Sequence, residues 1–339
     1  MVWIQFAVCL AIIVLAGTKL AKYGDLIAEK TGLGRVWIGV VLLATITSLP
    51  ELATGISSVT LVGEPDLAIG DLFGSNLINL VLIAIIDLVH RSGPALHYMS
   101  TRITLGAALS LFLIATAATF LYLAQNLLTL TIFGRIGILS LILFLLYLLA
   151  QYMIFRFQSA KSADAQGNEI VPANDHHMSL KRAVTLFVVA AIATAGAGIW
   201  LAPVGDQISE VTGLSASFVG TLFLAICTSA PEIVVSISAA RLGALEMAVG
   251  NMVGSNLFNM GVVIFIADLF YAAGPILQGA EVYHVITALF AVLMSSIVII
   301  GIVFRPRFWL RIWVGADTVA LALLYFAAMT TLYFLSKPA

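Results

Sequence analysis

The sequence predicts an all-α integral membrane protein with ten transmembrane helices in two inverted five-helix repeats. Three observations predict it. Of 339 residues, 61% are hydrophobic and only 10% charged, whereas a soluble domain is nearer a quarter charged. Apolar runs of about 20 residues, the length a helix needs to cross a bilayer core, recur along the whole chain, without the short alternating segments of a membrane β-barrel. One polar arrangement set inside this apolar sequence occurs twice, at an offset of 181 residues between Glu51 and Glu232.

Hydrophobic periodicity and length place the spans at roughly 2–22, 35–62, 67–89, 101–123, 130–155, 182–203, 214–241, 246–270, 281–304 and 312–335. The first run could pass for a signal peptide. It lacks a basic leading segment and matches a later helix, so it is expected to remain as a span. The second and seventh runs exceed the bilayer and are expected to tilt or break at Pro50 and Pro231. One clearly polar connector, 157–181, separates a first repeat (1–156) from a second (182–339). It cannot bury an apolar face and reads as a mobile loop. With the N-terminus outside, every lysine and arginine except Arg135 and Lys337 falls on the inner side. The positive-inside rule then predicts both termini outside and the connector cytoplasmic, in a plasma (inner) membrane.

The repeat reaches beyond the polar motifs. Gly24-Asp25, Glu29 and Thr31-Gly32-Leu33 match Gly205-Asp206, Glu210 and Thr212-Gly213-Leu214; Gly39 matches Gly220, and Ser57 matches Ser238. Five spans is an odd number, so the halves insert with opposite orientation. Inverted repeats broken in equivalent places mark secondary transporters, with the substrate site at the repeat interface.

Each motif has two parts. The first is Thr47-Ser48-Leu49-Pro50-Glu51 and its copy Thr228-Ser229-Ala230-Pro231-Glu232. Threonine and glutamate are four apart and share a helix face. Proline lacks an N–H and clashes with the carbonyl four residues back, which frees carbonyls around Ile46 and Thr47 and around Cys227 and Thr228. Loose carbonyls at membrane depth must line a cavity or be buried in protein, and beside a carboxylate they form an oxygen-rich pocket suited to hard cations. The second part is Gly70-Asp71-Leu72-Phe73-Gly74-Ser75-Asn76-Leu77-Ile78-Asn79 and its copy, Gly250-Asn251 through Gly254-Ser255-Asn256-Leu257-Phe258-Asn259. Ser75 and Asn79 face one way, as do Ser255 and Asn259, and the glycines let helices approach closely. A glycine pair alone is usually packing, and a lone membrane serine usually bonds its own helix. Two intramembrane glutamates in a duplicated motif instead point to one site assembled from both halves, neutral with a single divalent cation.

Other polar residues are read more simply. Asp71 stands where the second repeat has Asn251. It is either an access-path or third titrating carboxylate, or a helix-end residue reaching water. Asp87 and Asp268 are read as interface anchors, and Asp317 as snorkelling to the inner surface. His90, His97, His176, His177 and His284 fall in loops or at helix ends, so no histidine metal cluster is expected. Trp309 and Trp313 read as an interfacial anchor. Cys9 and Cys227 lie in apolar runs, and no disulfide framework is expected.

At the paired motifs the sequence resembles the calcium/cation antiporter superfamily, nearest its sodium/calcium exchanger branch. The Thr-Ser-x-Pro-Glu and Gly-Ser-Asn-x-x-Asn copies look like that family's two α-repeats. The resemblance implies Glu51 and Glu232 as principal calcium ligands. It implies hydroxyl or carbonyl oxygen from Thr47, Ser48, Thr228 and Ser229, flanking sodium sites completed by Ser75 and Ser255, and Asn79 and Asn259 in the remaining central positions. It also implies that the first and sixth helices slide past the rest. Two departures stand out. The residue before Thr-Ser is usually glycine in the family, but here it is Ile46 and Cys227. Asparagine at both 79 and 259 leaves two central carboxylates, which makes potassium co-transport less expected, while Asp71 restores part of the charge.

The expected function is therefore exchange of Na+ for Ca2+ by alternating access, with no enzymatic activity and no cofactor beyond the transported ions. A proton/calcium antiporter is the main alternative, since two glutamates can bind protons in place of calcium; an intramembrane protease using Asp71 is a remote one, because its repeat mate is Asn251. The expected partners are inorganic cations and the bilayer. A net charge of −1 with no basic block argues against nucleic acid, and the protein is expected to work as a monomer.

Overall fold

The computed structural model describes residues 1–31, 43–90, 94–126, 131–132, 135–162, 178–305 and 315–336. It is nearly all helical. In chain order the main helices are α1 (Val2–Thr31), α2 (Leu43–Thr47), α3 (Leu49–Val62), α4 (Pro65–His90), α5 (Thr101–Asn126), α6 (Ile138–Ser162), α7 (Leu180–Thr212), α8 (Ala216–Thr228), α9 (Ala230–Arg241), α10 (Leu245–Phe270), α11 (His284–Phe304) and α12 (Ala316–Leu335). Among the described residues, eight helices are long and apolar enough to cross a membrane. The pair α8 and α9, bent by 46°, makes a ninth when the two are taken as one broken span. The remaining expected span contains α2 and α3; its predicted start at 35–42 lies outside the described residues.

Most predicted spans coincide with these helices, and the differences have local causes. α6 begins at Ile138 rather than near 130, because Thr131–Ile132 (β1) pairs antiparallel with Ile136–Gly137 (β2) in a short hairpin. α6 also runs on to Ser162 and α7 starts at Leu180, so helix covers both edges of the expected connector; residues 163–177 lie outside the described set. So do His176, His177, Trp309 and Trp313.

The two halves are inverted. Val2, at the start of α1, shares an apolar cluster with Ile208 near the end of α7, while an added Cβ at Gly24 would meet the Phe187 ring at 3.3 Å near the start of α7. α1 and α7 therefore run antiparallel, and they are repeat mates. The most buried spans are α4 and α10, and α1 and α7 are far less enclosed. The motif helices thus stand at the centre, and apolar side chains on the outer helices, such as Leu15, Ile192 and Phe326, are exposed as a lipid-facing surface requires.

Pairs of buried carboxylates repeat this symmetry. Asp268 accepts from the Ile276 amide at 2.6 Å, the Gly137 amide at 2.8 Å and the Ser140 hydroxyl at 2.5 Å. Asp87 accepts from the Ala95 amide at 2.5 Å and from the Thr318 hydroxyl. Each carboxylate ends the third span of one repeat and clasps the start of the fifth span of the other. This corrects the reading of Asp87 and Asp268 as interface anchors: they are 3% and 1% exposed, held by hydrogen bonds that replace water. Asp317, expected to snorkel, is also buried. Asp268→Ala leaves the buried Ile276 and Gly137 amides without an acceptor and is expected to cost about 2–4 kcal/mol, read as a lowered thermal midpoint of the purified protein in detergent.

A second symmetric pair sits at the starts of the motif helices. The Glu281 amide donates to Asp66 at 2.6 Å, and the Ser100 amide donates to Glu246 at 2.8 Å. His284 stands at a helix end, the start of α11, as expected, but it is fully buried, and its Nε2 lies 2.9 Å from Asp66.

Candidate ion-binding site

Both motif spans break at the serine rather than at the proline. Ser48 has φ −85°, ψ 14° and Ser229 has φ −76°, ψ 3°, outside helical geometry. Pro50 and Pro231 fall in the first turn of the following helix, where a missing N–H costs nothing. The expected breaks are therefore present two residues earlier. They leave Thr47 and Thr228 at the end of one helix and Glu51 and Glu232 at the start of the next, with the first-turn amides beneath each carboxylate.

The breaks lie side by side, and their side chains bond across the repeat boundary. Ser48 donates to Glu232 at 3.1 Å, and Ser229 donates to Glu51 at 3.4 Å. Thr228 donates to Asp71 at 2.8 Å, and Thr47 to Asn251 at 3.4 Å. Ser255 adds a bond to Glu232 at 3.3 Å, and Ser75 lies 3.3 Å from the Thr228 hydroxyl. The sequence pairs Thr47 with Glu51 on one helix face; in the structure the hydroxyls serve the carboxylate or carboxamide of the opposite half. Asn79 donates to Asn256 at 2.9 Å, again between halves.

All ten predicted ligand residues, and Asp71 and Asn251 with them, are buried with at most 1% exposure. Asp71 therefore does not reach water at a helix end; it belongs to the centre. Asn76 and Asn256 were not singled out by sequence reasoning, yet both are buried here. Their signal was present, since each follows the motif serine directly, but one-face periodicity passes over adjacent residues.

At this centre unpartnered oxygen acceptors outnumber the unpartnered donors, which are the amide nitrogens of Asn76 and Asn259. Glu51 Oε2, Glu232 Oε2, Asp71 Oδ2, Asn79 Oδ1 and Asn259 Oδ1 are all buried without a hydrogen-bond partner. A buried unpaired acceptor costs free energy, most of all on a carboxylate. Cations supply what such oxygens lack, and this donor set of carboxylates, carboxamides and hydroxyls fits a hard cation. Among the described residues no group of three His, Cys, Asp or Glu side chains is arranged as a metal cluster, so the set relies on its neutral oxygens. The two central asparagines differ in backbone: Asn259 opens a π-helical turn to Val263, whereas Asn79 lies in regular α-helix. Such π-turns gather at functional sites.

Close packing differs at the two ends of the bundle. At the end away from the connector, Gly70 and Gly74 of α4 press on α8. A Cβ at Gly70 would lie 2.8 Å from the Ser217 carbonyl oxygen, and one at Gly74 would overlap the Thr221 carbonyl oxygen. At the connector end, a crevice enclosing about 30 Å³ opens beside Gly250 and Gly254, lined also by Ala44, Arg102, Tyr147 and Gln151. Gly17 of α1 abuts Pro231, and its repeat mate Gly198 of α7 abuts Ala53 and the Pro50 carbonyl. The two long outer helices thus lie directly on the broken segments of the opposite half.

Inverted halves with broken helices and a shared polar centre define a secondary transporter. The chain belongs to the sodium/calcium exchanger protein family, whose model matches residues 1–153 and 182–334. Sodium/calcium exchanger MaX1 of Methanosarcina acetivorans is 25% identical over 350 aligned positions, covering 93% of each chain. Inner membrane protein YrbG of Escherichia coli is 28% identical over 263 positions, 75% of each. Solved structures of the sodium-calcium exchanger NCX_Mj share the fold; one soaked with 100 mM Na+ and 10 mM Sr2+ superposes with a TM-score of 0.64 at 20% identity, covering 98% of this chain and 99% of that one. The protein is thus a multi-pass membrane antiporter of the exchanger type, not an enzyme.

Proposed function

We propose that this protein moves Ca2+ against Na+ by alternating access, with Glu51 and Glu232 as the central calcium ligands. The observation that carries this reading is the crossed bonding at the paired breaks, where each half supplies a glutamate and the other half its serine. Two glutamates balance one calcium ion. Thr47, Ser48, Thr228, Ser229, Ser75, Ser255, Asn79 and Asn259 add neutral oxygen for calcium and for sodium ions on either side. Hydroxyls and carboxamides around each glutamate favour sodium over protons as the counter-ion, because a proton needs no such cage.

Sliding of α1 and α7 past the proline-bearing helices alternately exposes the centre. Their glycine contacts with Pro231 and Pro50 support that movement. The halves 1–156 and 182–339 act as the two arms, the connector and its flanking cations face the cytoplasm across an inner membrane, and a monomer suffices. A surplus of sodium charge over calcium charge couples transport to membrane potential at about 2.3 kcal/mol per elementary charge per 100 mV.

The test is calcium-45 uptake by proteoliposomes with and without an outward sodium gradient. Sodium-driven uptake, collapsing when the gradient is removed, is the expected result. Uptake indifferent to sodium and driven by a pH gradient would replace sodium with protons as the coupling ion.

A further inference from the structure

We propose that Asp87 and Asp317 hold a calcium ion at the connector end of the bundle, away from the central glutamates, and that this ion fastens the end of α4 to the start of α12. The inference does not depend on which ions the centre carries.

The two aspartate clasps share one design but differ in charge. Asp268 is held by Ile276, Gly137 and Ser140. Asp87 is held at the equivalent points by Ala95, Gly315 and Thr318. The runs that close the clasps are Gly137-Ile138-Leu139-Ser140 and Gly315-Ala316-Asp317-Thr318. Leucine in one run is therefore aspartate in the other. The Asp268 clasp closes with leucine at that place, so the hydrogen bonding of Asp87 does not call for Asp317.

Asp317 is 6% exposed, and both its oxygens are buried with no hydrogen-bond partner. Glycines make room for it. A Cβ at Gly301 of α11 would lie 3.1 Å from Oδ2, and one at Gly315 would overlap Oδ1. The carboxylate is thus enclosed between the last turn of α11 and the start of α12, close enough to Asp87 for the two charges to repel. The first-turn amides of α12 favour negative charge there, yet none of them bonds it. Among the described residues no basic side chain pairs with either aspartate. Arg305, four residues after Gly301, donates instead to the Met99 and Ile302 carbonyls at 3.2 and 3.4 Å.

Two buried carboxylates side by side demand a compensating cation, and one divalent ion balances both. The oxygens at hand are of the kinds calcium takes. They are the two carboxylates, the Thr318 hydroxyl, and the last carbonyls of α4, which lack intrahelical donors and form the negative end of the helix dipole. Magnesium keeps several of its waters, and an enclosed carboxylate pair leaves little room for them.

The test counts ions. The full chain in detergent, stripped with EDTA, is equilibrated with calcium-45, and bound calcium per chain is read by equilibrium dialysis. Asp317→Leu, which copies the other clasp, is expected to fold and to bind one calcium ion fewer than the native protein. Asp317→Asn, which keeps the shape, is expected to do the same. Glu51→Gln/Glu232→Gln is expected to keep a bound calcium ion that raises its thermal midpoint, and adding Asp317→Leu to it removes both effects. The native protein and Asp317→Leu share one centre, so the difference between them is the same whatever that centre binds. Equal calcium counts in the native protein and both Asp317 variants overturn the proposal. So does displacement of this ion by equimolar Mg2+. A double-glutamine protein stabilised by acid but not by calcium also overturns it, making the compensating cation a proton.

Discussion

Glu51→Gln and Glu232→Gln each abolish calcium transport while the protein still folds. Glutamine keeps the shape and one acceptor oxygen but removes a charge. Asp71, bonded to Thr228 at 2.8 Å, does not stand in for the lost ligand, so the ion loses one of the two carboxylates that face each other across the halves, in a site where every ligand is buried. Breaking a buried charge pairing costs about 3–5 kcal/mol, which corresponds to at least ~100-fold weaker calcium binding. The fold is not expected to suffer, because each variant relieves repulsion among Glu51, Glu232 and Asp71 and keeps an acceptor for Ser229 or Ser48. Calcium-45 flux in proteoliposomes reads the loss, and the thermal midpoint in detergent reads the fold. Normal flux in either variant would remove that glutamate from the centre.

Gly74→Ala destabilises the protein and cripples transport, while Gly196→Ala does neither. A Cβ at Gly74 would run into the Thr221 carbonyl and lie 2.7 Å from both the Thr221 Cα and the Ala225 Cβ. Backbone cannot move aside as a side chain can. Overpacking of this kind costs about 1–3 kcal/mol. It also pushes α4 away from α8 and so separates Asp71 and Ser75 from Thr228. At Gly196 nothing lies within 4 Å of the added carbon, and alanine in a helix interior is favoured over glycine by roughly 0.5–1 kcal/mol. Thermal midpoints and flux for the two variants should therefore move apart. Equal behaviour would show that the α4–α8 contact does not matter.

Much of the fold was legible because membrane insertion leaves few choices. A lipid core forces backbone groups to bond within helices, so runs of apolar residues became spans with ends displaced by only a few residues in most cases. α1 and α7 run nine residues past their expected ends, to Thr31 and Thr212, and α6 starts late: the residues before Ile138 are apolar enough to read as helix, but cross-strand pairing of β1 with β2 took them. The repeat was legible because Thr-Ser-x-Pro-Glu and Gly-x-x-x-Gly-Ser-Asn-x-x-Asn are long composite patterns. The buried clasps of Asp87 and Asp268 were not, since their donors at Thr318, Gly137 and Ser140 lie far away in sequence.

By itself, the sequence determined the class, the inverted repeat and the identity of the polar residues at the centre. Polar groups inside apolar helices are costly, so their very presence marks where they must be compensated. Only the tertiary structure decided how: that Ser48 serves Glu232 and Ser229 serves Glu51, and that Asp71 lies at the core rather than at a water-facing helix end. Hydrogen bonds between halves depend on two antiparallel helix breaks meeting in space, and periodicity along one chain segment carries no information about which oxygen of the other half will stand opposite.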